Sequence, residues 1–474
     1  VVERNGQPYA WTLGRNGRYA MELPAGEYRV YATAKDRSQS PPAAVSITAG
    51  THAGLDFRGV AAPGRIQFSV VDARDGRPLD ARVDILEGQR PLVEFLGRKR
   101  FFTELDRKGF AAITFAPGDY RFRVSSGGAF LAPSVELSAT VGADSDLQRQ
   151  VALTPLFDPS ARGWYAADMH HHADQAEAVT PPADLARSQL AAGLNLLFVS
   201  DHDSTVNHRA LQAIADRRGM PFIPSVELSA SWAHFNAYPL TLGEKLAVDT
   251  GTATVQELFR EARRLGALVI QANHPFIPYG YFTSVANGVA PGGFDPDFDL
   301  IEINGSVPGD DMKVVHRLWD YWNEGRRYYL SAGSDTHDVW NEESGRVRVF
   351  AHPGGPLTAA SFSGALKAGH AYVSHGPLIF PSLPFGNTLA AEDGRPATLA
   401  VDLQSVAGLK SIQLIGGGAV TDSRELPDSP REAHLEFALD PARCHWYAFI
   451  VEDVDGQRAY TDPLWVEARP AAPR

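Results

Sequence analysis

Between residues 183 and 332 the chain alternates between two hydrophobic patterns. Stretches 183–192, 206–218, 255–265 and 312–324 carry apolar residues at helical spacing. Stretches 194–199, 222–228, 267–272, 298–304 and 328–332 are short apolar runs suited to buried strands. This alternation predicts a parallel sheet with crossover helices, closed as a barrel. Upstream, residues 1–155 show period-two alternation broken by Gly/Pro turns, an all-β signal. After Pro377, 398–403, 411–416, 433–438 and 446–451 read as strands again. They predict one more β-sandwich, packed against the barrel and ending near Val466 before a Pro/Ala tail.

The N-terminal region repeats itself. Gly17-Arg18-Tyr19-Ala20 leads to Pro24-Ala25-Gly26-Glu27-Tyr28, and Gly109-Phe110-Ala111-Ala112 leads to Pro117-Gly118-Asp119-Tyr120. Each is a strand, a turn built on proline's fixed φ and glycine's freedom, and a second strand with Tyr at the same place. The pattern resembles transthyretin-like sandwich modules, the carboxypeptidase-regulatory-like domains. Sixteen residues precede Gly17, too few for the strands found before Gly109, so the first module is expected to be partial. The expected order is a partial sandwich module at 1–60, a second at 61–157, the barrel at 158–378 and the last sandwich at 379–474.

Composition changes this picture little. The 474 residues are 44% hydrophobic and 21% charged, as in ordinary globular proteins. No apolar run approaches the roughly 18 residues of a membrane span. A formal charge of −12 provides no basic field for nucleic acid, so a small-molecule substrate is expected. Cys444 is the only cysteine, which excludes an intrachain disulfide framework. The chain begins at Val1, implying processing or trimming. The exported style of β-module makes a periplasmic or secreted home the expectation, with cytoplasm the alternative. A homodimer is compatible with the sequence.

Candidate chemistry gathers after the predicted strands, where α/β barrels hold their active sites. In 164–172, alternation puts His170 and His172 on one face and His171 on the other. Asp201-His202-Asp203 follows the strand ending at Val199-Ser200. Glu227 lies inside an apolar strand, where an unpaired carboxylate would be costly. His234 and His274 follow, and Asp335 and His337 share a face at the next strand end. Histidines and carboxylates recurring at consecutive strand ends point to a metal site. His208 and Asn236 adjoin these motifs, and Phe276, Tyr279, Tyr281 and Trp340 could wall a substrate pocket. No GxSxG elbow and no P-loop is present, so serine catalysis and nucleotide-triphosphate binding have no support.

The ordered set, HxH, DHD, Glu, two separated His and DxH, resembles the polymerase-and-histidinol-phosphatase (PHP) superfamily over residues 165–376. The flanking β modules, with Trp446-Tyr447 and 460–465, are similar to its CehA/McbA, carbaryl-hydrolase branch. The resemblance implies a distorted (β/α)7 TIM-like barrel holding two or three divalent ions, zinc, manganese or iron, and no organic cofactor. It implies His170, His172, Glu227 and Asp335 around one metal, with Glu227 bridging to a second held by His234 and His274. It implies His202 and His337 at a third, with an acid shortly after the first motif. Asp174 is the residue assigned there, Glu177 the other candidate. Asp168, Asp201 and Asp203 would support the ligands, with Asp201 either fixing an imidazole or ligating directly. Such ions bring a bridging water's pKa from about 15.7 toward neutrality, and Glu227, Asp335 and His337 would serve the chemistry. Hydrolysis of a carbamate or ester, plausibly an aryl N-methylcarbamate, is the leading expectation. A PHP-type phosphoesterase is the alternative, and a non-catalytic surface-binding protein with a retained metal site is the third reading.

Overall fold

A computed structural model of the chain describes residues 1–34, 40–58, 60–88, 98–307, 309–392 and 395–469. The expected Pro/Ala tail lies outside these. The chain divides into two compact units, Val1–Val124 with Val135–Ala152, and Ser125–Ser134 with Leu153–Arg474.

The first unit is all β. One four-stranded sheet holds Val2–Arg4, Gln7–Ala10, Gly26–Val30 and Ala43–Ile47. A second four-stranded sheet (Val135–Val141, Gly118–Ser125, Arg82–Glu87, Arg100–Phe102) and a three-stranded one (Asp146–Leu153, Gly64–Asp72, Phe110–Phe115) follow. Alternation along Gly64–Asp72 buries Ile66, Phe68 and Val70 on one face. The sequence repeat has a physical counterpart. Tyr28 donates its hydroxyl to the Pro24 carbonyl at 2.9 Å, and Tyr120 donates to the Ala116 carbonyl at 2.7 Å. In both copies the phenol thus closes the Pro/Gly turn four residues before it.

In the second unit the four expected helices are present as Pro182–Ala191, His208–Arg218, Val255–Arg264 and Asp311–Asn323, while the strand Ala233–Tyr238 and the helices Tyr281–Ala286 and Ala359–Lys367 are not among the elements the pattern predicts. A five-stranded sheet runs Val226–Ala230, Ala233–Tyr238, Val269–Ala272, Leu300–Asn304, Tyr329–Gly333. Its last three strands are parallel, but Ala233–Tyr238 is antiparallel to both neighbours. Only Ser231 and Trp232 separate it from the preceding strand, and a two-residue link can make a hairpin but no crossover.

The expected TIM-like barrel is therefore met only in part. The strand Tyr165–Ala167 pairs antiparallel with Arg348–Ala351, in a nine-stranded sheet shared with the C-terminal strands. Leu197–Val199 and Phe222–Pro224 form a separate parallel pair. Isolated contacts link these pieces into a circuit: His171 bridges to Thr336, His202 to Glu227, and Met169 N donates to Ala332 O at 2.9 Å. Trp446–Asp453, Arg458–Thr461 and Leu409–Gly416 belong to the nine-stranded sheet, while Leu378–Pro381, Ala397–Gln404 and Glu432–Leu439 form a three-stranded one. The two enclose a core containing Ile379, Val401, Phe437, Leu414 and Phe449. Among the described residues, no helix is long and apolar enough to cross a membrane.

Gly333 fixes how closely the site's first segment can approach its last strand. A Cβ there would fall 2.1 Å from His170 Cβ and 2.5 Å from His170 N. Gly333→Ala is expected to cost about 3 kcal/mol of stability, the upper range for forced overpacking. Urea unfolding measures it, and an unchanged midpoint would refute the close-approach argument.

Candidate metal centre

Glu227 is the hub of the site. Its side chain has no exposed surface, and imidazoles reach it from five directions. Oε1 lies 3.1 Å from His170 Nε2, 3.1 Å from His234 Nδ1 and 3.5 Å from His274 Nε2. Oε2 lies 2.8 Å from His202 Nδ1 and 3.6 Å from His172 Nε2. Cross-strand register explains the convergence: Glu227 stands opposite Asn236 and Ser229 opposite His234 on the hairpin partner.

Among the described residues, four sets have the spacing to hold a cation: His170, His172 and Asp335; His170, Glu227 and His274; His202, Glu227 and His234; and His172, His202 and His337. Their spacing suits metal coordination. Ligands about 2.1 Å from a tetrahedral ion stand about 3.4 Å from one another. His170 Nε2 and His172 Nε2 each lie 3.2 Å from Asp335 Oδ1, and His170 Nε2 is 3.1 Å from Glu227. The buried His170 Nε2, which faces Glu227 and Asp335, and the buried Glu227 Oε2 make no hydrogen bond. Buried polar atoms are ordinarily satisfied, and lone pairs aimed at carboxylates are what a cation would bind.

The acid near His202 and His337 is Glu177. Its Oε1 is 3.2 Å from His202 Nε2 and 3.7 Å from His337 Nε2, and those two nitrogens are 3.4 Å apart. Both acids are exposed, but Asp174, the residue assigned from sequence, instead accepts a hydrogen bond from Asn207 Nδ2 at 2.9 Å. Chain direction after the first motif decides between them, and no periodicity encodes it. His337 Nδ1 lies 2.9 Å from the Asp335 carbonyl and donates to it, leaving Nε2 with a lone pair. That arrangement suits a metal ligand.

The charges are mutually compensated. Burial would lower the His170 pKa, but the carboxylates of Asp335, Glu302 and Glu227 raise it well above its ordinary value. Burial would raise Glu227, yet His170 and His234 hold it well below the carboxylate range. Asp335 likewise is held low, against burial, by His170 and His172. His172 is driven down to about 3, mainly by burial. His202 is raised, Glu227 outweighing burial.

The three supporting aspartates hold backbone rather than imidazole. Asp168 Oδ1 accepts from Ser334 N at 2.8 Å and His170 N at 3.4 Å, and Oδ2 accepts from Gly345 N at 2.8 Å. Asp201 accepts from Ala173 N at 2.7 Å and Asn207 Nδ2 at 2.8 Å, and burial pushes it up to about 6. It therefore does not fix an imidazole as expected. Asp203 accepts from Ser229 N and the Thr250 hydroxyl. Asp203, His274 and Asp335 all have positive φ, at 48°, 26° and 55°. Left-handed backbone in non-glycine residues is strained and collects at functional sites.

The expected substrate residues separate. Tyr279 is half exposed, its ring centroid 5.5 Å from that of His234 and 5.8 Å from that of His274. Burial, with Asp335, Glu227 and Glu177, raises its pKa, so the phenol stays protonated at neutral pH. Tyr281 is fully buried, with its hydroxyl on the Gly293 and Asp295 backbone. Phe276 packs against Phe282 at 5.5 Å. His208 is buried against the Ser225 carbonyl, 2.8 Å from Nε2, and Asn236 donates to the Met169 carbonyl at 2.8 Å. These last two belong to the interior. Trp340 is partly buried, its backbone N donating to Asp338 Oδ1 at 2.9 Å.

Sequence reasoning missed Glu302, whose Oε1 is 2.7 Å from His170 Nδ1. The signal was available: an acid inside the apolar run 298–304, the same signature that picked out Glu227.

No protein-family model matches the chain. The chain is 28% identical over 194 residues to a 3′,5′-nucleoside bisphosphate phosphatase of Chromobacterium violaceum. That match covers 40% of this chain, and the chain spans 66% of the phosphatase's length. Among solved structures, it is similar to a two-domain protein from Bacteroides vulgatus containing a predicted PHP-like metal-dependent phosphoesterase (14% identity, TM-score 0.38, 64% of this chain and 95% of that one). It is also similar to an amidohydrolase from Chromobacterium violaceum with bound sulfate (17% identity, TM-score 0.29, 37% and 89%).

Proposed function

We propose that the chain is a metal-dependent phosphoesterase of the PHP type, acting on a phosphate ester of a small molecule. The observation that carries this is the convergence of five imidazoles on Glu227 at separations suited to metal ligation. Two or three divalent cations at such a site supply Lewis-acid activation of a water and of the oxygen under attack.

The chain's own residues divide the remaining work. His170, His172, Glu227 and Asp335 would hold one cation, with Glu227, His234 and His274 at the next. His202, His337 and Glu177 would hold a third. Asp335 Oδ2 is steadied by Asn304 Nδ2 and the Ser306 hydroxyl, each at 3.3 Å, so Oδ1 stays turned toward the imidazoles. Tyr279 stands beside His234 and His274 with a protonated hydroxyl, able to donate to a substrate oxygen.

Similarity to a phosphatase supports phosphoester chemistry over the aryl carbamate expected from the flanking modules. The aromatic wall that favoured the carbamate is also thinner than expected, because Phe276 and Tyr281 pack inward. The metal-loaded protein should cleave 4-nitrophenyl phosphate or a 3′,5′-nucleoside bisphosphate at least about tenfold faster than 1-naphthyl N-methylcarbamate, a difference of about 1.4 kcal/mol in barrier. A chelator should abolish the activity. The reverse ranking would return the protein to the carbamate and ester hydrolases. Loaded protein that turns over neither would be a binding protein.

A further inference from the structure

Glu302 lies in the apolar strand Leu300–Asn304 with no exposed surface. Both of its oxygens are engaged. Oε1 is 2.7 Å from His170 Nδ1, while Oε2 accepts from the His274 amide at 2.7 Å and from Asn304 Nδ2 at 3.0 Å. Asn304 Nδ2 reaches on to Asp335 Oδ2 at 3.3 Å. One side chain thus touches an imidazole of the first candidate cation set, the backbone of a histidine of the second, and a carboxamide that steadies Asp335.

We propose that Glu302 is a positioning residue whose negative charge fixes the tautomer of His170 and ties the two cation positions flanking Glu227 into one unit. The inference rests on the metal-dependent reading above. With both oxygens occupied by N–H donors, Glu302 is not itself a ligand. Accepting from Nδ1 makes that nitrogen the proton carrier and leaves the Nε2 lone pair facing Glu227 and Asp335, at 3.1 and 3.2 Å. A carboxylate behind a ligating imidazole also raises the basicity of the imidazole toward the metal. The second oxygen holds the amide of His274, whose φ of 26° is unfavourable for a residue with a side chain. Orientation at one position and backbone conformation at the other are therefore set by the same group. A purely architectural role would need only an acceptor of the right shape, which a neutral glutamine supplies to His170.

Metal titration separates these roles without any substrate. Metal-free wild type, Glu302→Gln and Glu302→Asp are titrated with zinc and with cobalt(II) against a chromophoric chelator, and their metal-free melting temperatures are compared. Glu302→Gln should lose about 10–100-fold in affinity at both tight positions together, the range for an outer partner of a metal-bound histidine. Its metal-free melting temperature reads separately the cost of turning an amide NH2 toward the His274 N–H and Asn304 Nδ2, the donors that Oε2 serves in wild type. Glu302→Asp, which keeps the charge, should bind more tightly than the glutamine variant. Wild-type affinity in Glu302→Gln would overturn the proposal while leaving the metal site standing. If Glu302→Gln proves unstable, an aspartate variant that binds no better than the glutamine one overturns it instead. A wild-type chain that binds neither ion would remove the metal-dependent reading and this inference with it.

Discussion

Glu227→Ala is expected to lose bound metal and activity together, with kcat/KM falling about a thousandfold or more, equivalent to about 4 kcal/mol of transition-state stabilisation. The expectation follows from where the carboxylate sits. Its two oxygens divide the surrounding imidazoles into His170, His234 and His274 on one side and His202 and His172 on the other. Removing it takes a ligand from more than one position at once, whereas loss of His234 or His274 would leave the His170, His172 and Asp335 set intact. The loss should therefore exceed that from either histidine alone. Elemental analysis should find less than half the wild-type metal content, and Glu227→Gln, which keeps the volume and removes the charge, should behave similarly. An active, metal-replete Glu227→Ala protein would refute the bridging assignment. A metal-free Glu227→Gln variant with a native circular-dichroism spectrum would show that the loss comes from ligation and not from misfolding.

How much of this was legible in the chain depends on which physical rule each residue obeys. Strand parity separated His170 and His172 from His171, and the structure turns His171 away to place Nε2 2.7 Å from the Ser344 hydroxyl. The rule that a buried acid needs a partner identified Glu227, and it applies equally to Glu302. The histidine partner of Glu302 lies 132 residues away, just past the strand Tyr165–Ala167, so no local spacing links the two. Loops carry no periodicity, and so the choice between Asp174 and Glu177 could not be read. Asn236 and Tyr281 turn inward for a related reason. Both are of types suited to binding, but Asn236 points at the Met169 carbonyl inside the circuit of strands and Tyr281 begins a short buried helix, Tyr281–Ala286. Proximity in sequence to a metal motif says nothing about which side of the backbone a neighbour occupies.

The fold shows the same division. Helical and strand segments announced themselves through hydrophobic spacing, but strand direction is set by the length of the connections. The two-residue link before Ala233–Tyr238 forces an antiparallel hairpin into a sheet that the helix–strand alternation predicted to be parallel. The departure has a functional consequence. It sets Ser229 opposite His234 across the hairpin, so His234 reaches Glu227 Oε1 while the Ser229 hydroxyl lies 2.7 Å from His202 Nδ1. A crossover helix at this point would have carried His234 away from Glu227.

Stripping the cations should lower stability by about 4 kcal/mol or more, the linkage expected when even one site is held at a thousand times its dissociation constant. With two candidate cation sets sharing Glu227, the melting temperature should fall by many degrees. The pH dependence of this gap tests the site more sharply. The folded pKa of His170 is raised by Asp335, Glu302 and Glu227 against burial, so its contribution to the stripped protein is fully present below the unfolded value of about 6.5 and is lost as pH rises through the folded one. Glu227 and Asp335 are held low, so their contributions survive until pH falls through their folded values, far below neutrality. Cation binding runs the other way, because it must displace the His170 proton and is favoured as pH rises. Between about pH 6.5 and 8 the metal-loaded and stripped melting temperatures should therefore diverge as pH increases. Differential scanning calorimetry with and without chelator at a series of pH values reads this directly. A gap that narrows over that range would mean that the imidazoles around Glu227 are not exchanging protons for metal.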